Sequence, residues 1–242
     1  MIERTGQAIN RVLRRGGLEV HRLRRDQSFE FRSSAEAIDR RHCAQTAEIV
    51  EELRTKYESP VFGDVRVWDL VERLGQCVDP ADCMLFGASQ QVHVLQILEA
   101  MAHDGVDDPD LVMTALLHDL GKVLLLTDED PANLVGVNVP IGEYDDGVGL
   151  DNCVLQWNHD EVGYERFKDH VSDRVAWLIR YHSMDRAACA RLMDDRDRAH
   201  AEHLRVFARY DYETKSPFGL PKLRITAFRE LIEETFPDPI PF

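Results

Sequence analysis

An all-α fold is what this sequence predicts, and three observations carry the prediction. Apolar residues recur at helical spacing from Ala35 onward. Strict apolar–polar alternation, the mark of a half-buried strand, is short and scarce. Helix-start signals precede several periodic segments: Ser89, Asp108 ahead of Pro109, and Ser172 ahead of Asp173 each offer an oxygen to the first free N–H groups.

Taken in order, the first helix spans 34–57 on periodicity alone. Asp64 or Asp69 opens the second, 67–74. Ser89 caps the third, 89–104, and the Asp108–Pro109 pair starts the fourth, 109–127. Periodicity places the fifth over 152–169, Ser172 starts a sixth over 172–182, and two more follow over 200–215 and 220–235. Between them lies one long irregular stretch, 128–149, with Pro131, Gly136 and Pro140. A loop of roughly 20 residues in a compact domain usually serves function.

The chain of 242 residues is 44% hydrophobic, enough for a sizeable core. It carries 44 acidic against 29 basic residues, a net charge of −15, so its field repels polyanions and nucleic acid is excluded as a partner. An Arg-rich beginning (Arg11, Arg14, Arg15, Arg22, Arg24, Arg25) reads as a solvated extension over 1–30, with a phosphate- or membrane-surface arm as the alternative. Residues 31–242 then form one helical domain. No apolar run reaches the ~18 residues of a membrane span, and no signal peptide is evident, so no membrane partner and a cytoplasmic location are expected. Five cysteines without CxxC spacing fit a reducing compartment, as small buried hydrophobes.

Four of the ten histidines stand in apolar-flanked helical context, where a bare imidazole needs a partner to offset its desolvation: His93, His118, His159 and His182. His21, His42, His103, His170, His200 and His203 are read as surface or ordinary packing. The strongest feature is the doublet His118-Asp119 inside Met113-Thr-Ala-Leu-Leu-His-Asp-Leu-Gly-Lys122, because an unpaired carboxylate there would be costly. Side chains of successive α-helical residues diverge by about 100°, so the pair is not expected to face one ion together, although the two oxygens of Asp119 can bridge. The doublet, an earlier His93 and a later Asp211 follow the pattern of the His-Asp (HD) superfamily of helical metal proteins. With His159 and His182 the set becomes six ligands, enough for two ions. An imidazole-rich set stabilises the ferric state less than a carboxylate-rich one, so one iron is expected to stay ferrous.

From about Phe31 onward the chain resembles the myo-inositol oxygenase family. The blocks that carry the resemblance are Phe31-Arg32, the Gln45-Thr46 helix ending in Arg54-Thr-Lys, Val78-Asp79 with Asp82, His93, 116–124, Val135-Gly136 with Pro140 and Gly142, Gly149-Leu-Asp-Asn152, Trp157-Asn-His-Asp-Glu161, His182-Ser183, and Tyr210-Asp211 with Thr214-Lys-Ser-Pro217. The resemblance implies a single HD-type helical domain holding two Fe ions in a mixed-valent Fe2+/Fe3+ state, with O2 as cosubstrate. It implies that His93, His118, Asp119 and Asp211 hold one iron, and that Asp119 bridges to a second held by His159 and His182. Asp119 and Lys122 are then the catalytic pair, Lys122, Ser183 and Lys215 contact substrate hydroxyls, and Arg32 and Asp79 lie close by. The implied reaction opens the ring of inositol or a related cyclitol to a uronic-acid-type product.

One departure bears on substrate. The family places an acidic residue directly after Val135-Gly136, whereas this chain has Val137 followed by Asn138. A missing acceptor in a closed site costs on the order of 1 to 3 kcal/mol, so a different polyol, an amino-cyclitol or a phosphonate-type alcohol is the alternative substrate. A metal-dependent phosphohydrolase of the HD superfamily, and a regulatory binder with a vestigial site, are the alternatives from other classes.

Overall fold

The computed structural model describes residues 25–242, with side chains from Ser34 onward. The extension expected over 1–30 lies almost wholly outside the described residues, as does the side chain of Arg32. No described helix is long and apolar enough to cross a membrane.

Helix α1 (Arg25–Cys43) and helix α2 (Ala47–Glu58) replace the single helix expected over 34–57. Two polar residues make the break. Thr46 caps α2 through its hydroxyl, which accepts from the Ile49 N–H at 3.4 Å, and the Gln45 carboxamide bonds backbone elsewhere. Its amide donates to the Trp157 and Ala132 carbonyls at 3.0 and 3.3 Å, and its oxygen accepts from the Trp157 N–H at 2.7 Å. Strand β1 (Asp64–Val65) follows, then α3 (Val67–Arg73), which begins at Arg66 with no side-chain cap, so neither Asp64 nor Asp69 plays the starting role expected of it. Helix α4 (Gln90–His103) is capped by Ser89 and α5 (Pro109–Leu117) by Asp108, both as expected.

After α5 the backbone leaves the α-helix and continues as a tighter 3-10 helix, Leu120–Leu126, instead of running on to 127. Helix α6 (His159–Phe167) begins seven residues later than expected, at the Asn158 cap, because the chain before it is committed to other bonds. The Gln156 N–H donates to the Val139 carbonyl at 3.0 Å, and the 128–149 stretch is held there as an ordered wall. Helix α7 (Asp173–Tyr181) starts at Ser172, and a short helix α8 (Arg186–Cys189), not foreseen, is capped by Asp185. Helix α9 (Asp195–Glu213) starts earlier than expected through an Asp194/Asp197 capping box. Helix α10 (Arg229–Thr235) covers only the second half of the expected 220–235 segment. Strand β2 (Ile240–Pro241) pairs antiparallel with β1 in the only sheet among the described residues. The chain end is thereby clipped to Phe62 and Gly63, with Phe62 stacked on Phe242.

The core lies between α4, α5, α6, α7 and α9. Trp177, Tyr181, Phe167 and Phe207 are fully buried in it. Phe207 meets the His118 ring edge-on at 5.2 Å, so the apolar core runs up to the polar cluster described next. Cys77, Cys153 and Cys189 are buried as expected, whereas Cys43 and Cys83 are exposed.

Candidate metal centre

The polar cluster is assembled at element ends. His93 is on the buried face of α4, His118 follows α5 as its C-cap, His159 is the first residue of α6, His182 follows α7, and Asp211 lies near the end of α9. Helix ends leave free carbonyls, and three rings use them. The Nδ1 atoms of His118, His159 and His182 lie 3.1, 2.7 and 2.9 Å from the carbonyls of Ala115, Leu134 and Ile179. A carbonyl only accepts, so each Nδ1 carries the proton, and in the neutral ring each Nε2 is a bare lone pair.

Those lone pairs converge. His159 Nε2 is 3.3 Å from His182 Nε2 and 3.0 Å from Asp119 Oδ1, and His182 Nε2 is 3.7 Å from the same oxygen. The other carboxylate oxygen, Asp119 Oδ2, lies 3.5 Å from His118 Nε2, and neither atom has a hydrogen-bond partner. His93 Nε2 is 2.8 Å from Asp211 Oδ1, while its Nδ1 is also without a partner. All six expected residues are buried. Buried lone pairs aimed at one another and at carboxylates are unfavourable unless a cation lies between them. The donor set therefore fits metal ions, and His93, His118 and Asp211, then His118, Asp119 and His182, then His159, Asp160 and His182 each bring ligand atoms within 4.8 Å of one another.

One expectation from helix geometry fails. His118 and Asp119 do face a common region, because the α-helix ends between them: Asp119 has φ −97° and ψ 2°, outside the helical range. The 3-10 turn that follows brings Asp119 and Lys122 together at 3.0 Å, as i and i+3 eclipse in that geometry.

The charges follow from these contacts. Burial pushes the His118 imidazolium down to about 3. Burial also opposes ionisation of Asp119, yet Lys122 and His118 outweigh it and hold the carboxylate well below its usual range. Asp211 is held far below that range against burial by its bond to His93 and by Lys215. Lys122 is held cationic above the usual lysine range despite burial, by Asp119 and Asp79. For His182 burial is again outweighed, here by Asp160 and Asp119, which push it up to about 9 in the absence of metal.

Beside the cluster lies a cavity of about 420 Å³ that reaches Asp119, His159, His182 and Asp211. Lys122, Ser183 and Lys215, expected to touch substrate, line it, as does Asp79, expected close by. Lys122 Nζ donates to the Gln90 side-chain oxygen at 3.1 Å and pairs with Asp79 and Asp119 at 3.2 and 3.0 Å, so three acceptors surround it. Lys215 Nζ lies 3.1 Å from Asp82 and 3.7 Å from Asp211, which leaves it a donor to spare. Asp82 and Asp160 escaped the sequence reading as site residues. Asp160 Oδ1 is 3.1 Å from His159 Nε2 and 3.6 Å from His182 Nε2, with the residue wholly buried. Its signal was present, since His159-Asp160 repeats the doublet of His118-Asp119.

Comparison with known proteins gives the same direction. The family model described as Myo-inositol oxygenase matches residues 32–143 and 130–242. The chain belongs to the myo-inositol oxygenase family. Inositol oxygenase 1 of Arabidopsis thaliana is 31% identical over 231 residues, covering 79% of this chain and 74% of that protein. The probable inositol oxygenase of Oryza sativa subsp. japonica is 29% identical over 236 residues, covering 81% and 76%. The inositol oxygenase of Rattus norvegicus is 24% identical over 241 residues, covering 81% and 84%. As a member of the myo-inositol oxygenase family the protein is an enzyme, an oxygenase, with candidate His/Asp metal-binding clusters, and the phosphohydrolase and regulatory-binder alternatives fall away.

Proposed function

We propose that this enzyme holds two iron ions and uses O2 to open the ring of myo-inositol, or of a closely related cyclitol, to a uronic-acid-type product. The observation that carries the proposal is Asp119, a buried carboxylate with one oxygen toward His159 and His182 and the other toward His118. His93, His118, Asp119 and Asp211 would hold one ion, and His159 and His182, with Asp119 between, the other. The ions supply redox capacity and Lewis acidity toward substrate oxygens.

The protein's own groups do the rest. Lys215 offers an unengaged N–H to a substrate hydroxyl, whereas Lys122 must exchange one of its three acceptors for a substrate oxygen. Its longest contact, to Asp79 at 3.2 Å, is the one to yield. A buried ammonium beside a hydroxyl favours the alkoxide, so both lysines lower the cost of losing a hydroxyl proton at the bound edge of the ring. Ala35 and Val137 line the same cavity and help keep it dry.

Val137 is 44% exposed and faces this cavity, so its wall offers neither donor nor acceptor at that point. That observation favours a cyclitol lacking one hydroxyl there over the unmodified hexol. Oxygen uptake by iron-loaded protein, read with glucuronate formation, tests the reading: one O2 consumed per uronate formed is expected from myo-inositol or a cyclitol in the panel. Uptake with none of them removes the substrate reading. Electron paramagnetic resonance of partly oxidised protein should show a coupled mixed-valent pair, and passage straight from the diferrous to the diferric form counts against one iron staying ferrous.

A further inference from the structure

We infer that Asp160 is a positioning residue that fixes the hydrogen-bond polarity of Ser183, so that the cavity presents a lone pair to the substrate at that point and requires a donor from it; the inference rests on the polyol reading above. Both donors of Ser183 go to this one carboxylate. The hydroxyl donates to Asp160 Oδ1 at 3.1 Å, and the backbone N–H donates to Oδ2 at 3.2 Å. The Asn138 amide donates to Oδ2 as well, at 3.4 Å. Asp160 is wholly buried in the first turn of α6, where the Asn158 side chain accepts from its N–H at 2.8 Å, so the clamp is fixed to the element that also carries His159.

A serine hydroxyl has one proton and two lone pairs. With the proton committed to Asp160, what remains toward the cavity, which Ser183 lines, is acceptor only. His159 would not reverse this in metal-loaded protein, because its Nδ1 is taken by the Leu134 carbonyl at 2.7 Å and its Nε2, 3.1 Å from Asp160 Oδ1, would be occupied by an ion. The lysines across the cavity are donors only. One wall thus requires an acceptor and the other a donor. A ring hydroxyl satisfies either wall, and an ammonium satisfies Ser183. A carbonyl, ether oxygen or fluorine facing Ser183 sets lone pair against lone pair. The substrate class that follows is a polyol with a free hydroxyl, or an amine, at the ring position nearest His182-Ser183.

Isothermal titration of metal-loaded protein with myo-inositol and a panel of its monofluoro-deoxy analogues, with metal content measured in parallel, tests this. Wild type should bind one fluoro isomer about tenfold more weakly than the parent, the loss of a single hydrogen bond against an unpaired acceptor. In Ser183→Ala that discrimination should vanish. In Asp160→Asn, whose amide can donate to the serine oxygen and free the hydroxyl proton, it should fall below about threefold. Asp160→Asn/Ser183→Ala should bind like Ser183→Ala alone, since the two act as one unit. Additive losses in the double variant overturn the inference, as does an Asp160→Asn protein that loses an ion, which would make Asp160 a ligand. If Asp160→Asn does not fold, the fluoro panel on wild type and Ser183→Ala still decides, and equal discrimination by both overturns the inference. Absence of polyol binding by wild type removes the substrate reading and this inference together, whereas binding without isomer discrimination removes this inference alone.

Discussion

Asp119 owes its position to a mismatch between its charge and its surroundings. A carboxylate with almost no exposure, one oxygen without a hydrogen-bond partner, and three imidazoles gathered around it persists only with cations close by. Removing that charge should release metal: Asp119→Asn is expected to hold fewer than half the ions of wild type by elemental analysis. Retention of both would mean the carboxylate does not join them. Val137 gives a second prediction at this scale. Val137→Asp restores an acceptor to the cavity and should lower KM for myo-inositol on the order of tenfold. An unchanged KM would show that this wall does not face the ring. The residues of the candidate clusters stood out in the sequence because histidine in apolar helical context and a buried carboxylate admit few explanations. Asp160 was not, because an acidic residue in the first turn of a helix has a sufficient local reason to be there.

Between elements, the decisive feature is the change from α5 to the 3-10 turn, and the close approach it permits. A Cβ added to Gly121 would stand 2.2 Å from the His159 carbonyl and 3.0 Å from its Cβ. Gly121→Ala must therefore push α6 away from the turn, and should cost roughly 2 to 3 kcal/mol in chemical denaturation while weakening metal retention. Normal stability with full metal would show that the contact relaxes freely. The α9 capping box works in the same way at the far side of the core. Asp197 accepts from the Trp177 indole N–H and the Leu150 N–H, both at 2.8 Å, and from the Asp194 N–H at 3.2 Å. Asp197→Ala leaves these buried donors unmatched and should destabilise by about 2 to 4 kcal/mol, read from the urea midpoint. Ser89, Asp108 and Ser172 were legible as helix starts since a cap acts within a few residues. The break at Gln45 was not, since its reason, the backbone of Trp157 and Ala132, lies far along the chain.

For the molecule as a whole, metal and protons compete for the same atoms. In metal-free protein His182 is raised to about 9, so its stabilisation is complete below the unfolded value near 6.5 and is lost as pH rises through 9. His118 is lowered to about 3, so the fold loses stability on the acid side as pH falls from 6.5 toward 3, when only the unfolded chain takes up that proton. Asp119 and Asp211, held below the usual carboxylate range, extend that acid loss below about pH 4. Melting temperature against pH should thus decline on both limbs without metal. Metal loading replaces the His182 proton and should abolish the alkaline decline while raising the melting temperature throughout. An alkaline limb that is the same with and without metal would separate His182 from the ions.

By itself the sequence determined the helical class, the caps that begin α4, α5 and α7, and which side chains had chemistry to contribute, because periodicity, capping and ligand type are local properties of residues. Only the tertiary structure decided that His118 and Asp119 turn toward one region, that Lys122 is ringed by three acceptors and Lys215 by two, and that Ser183 donates to Asp160. Each of these depends on where a helix stops and which distant carbonyl or carboxylate waits at its end, and packing, not spacing along the chain, sets those positions.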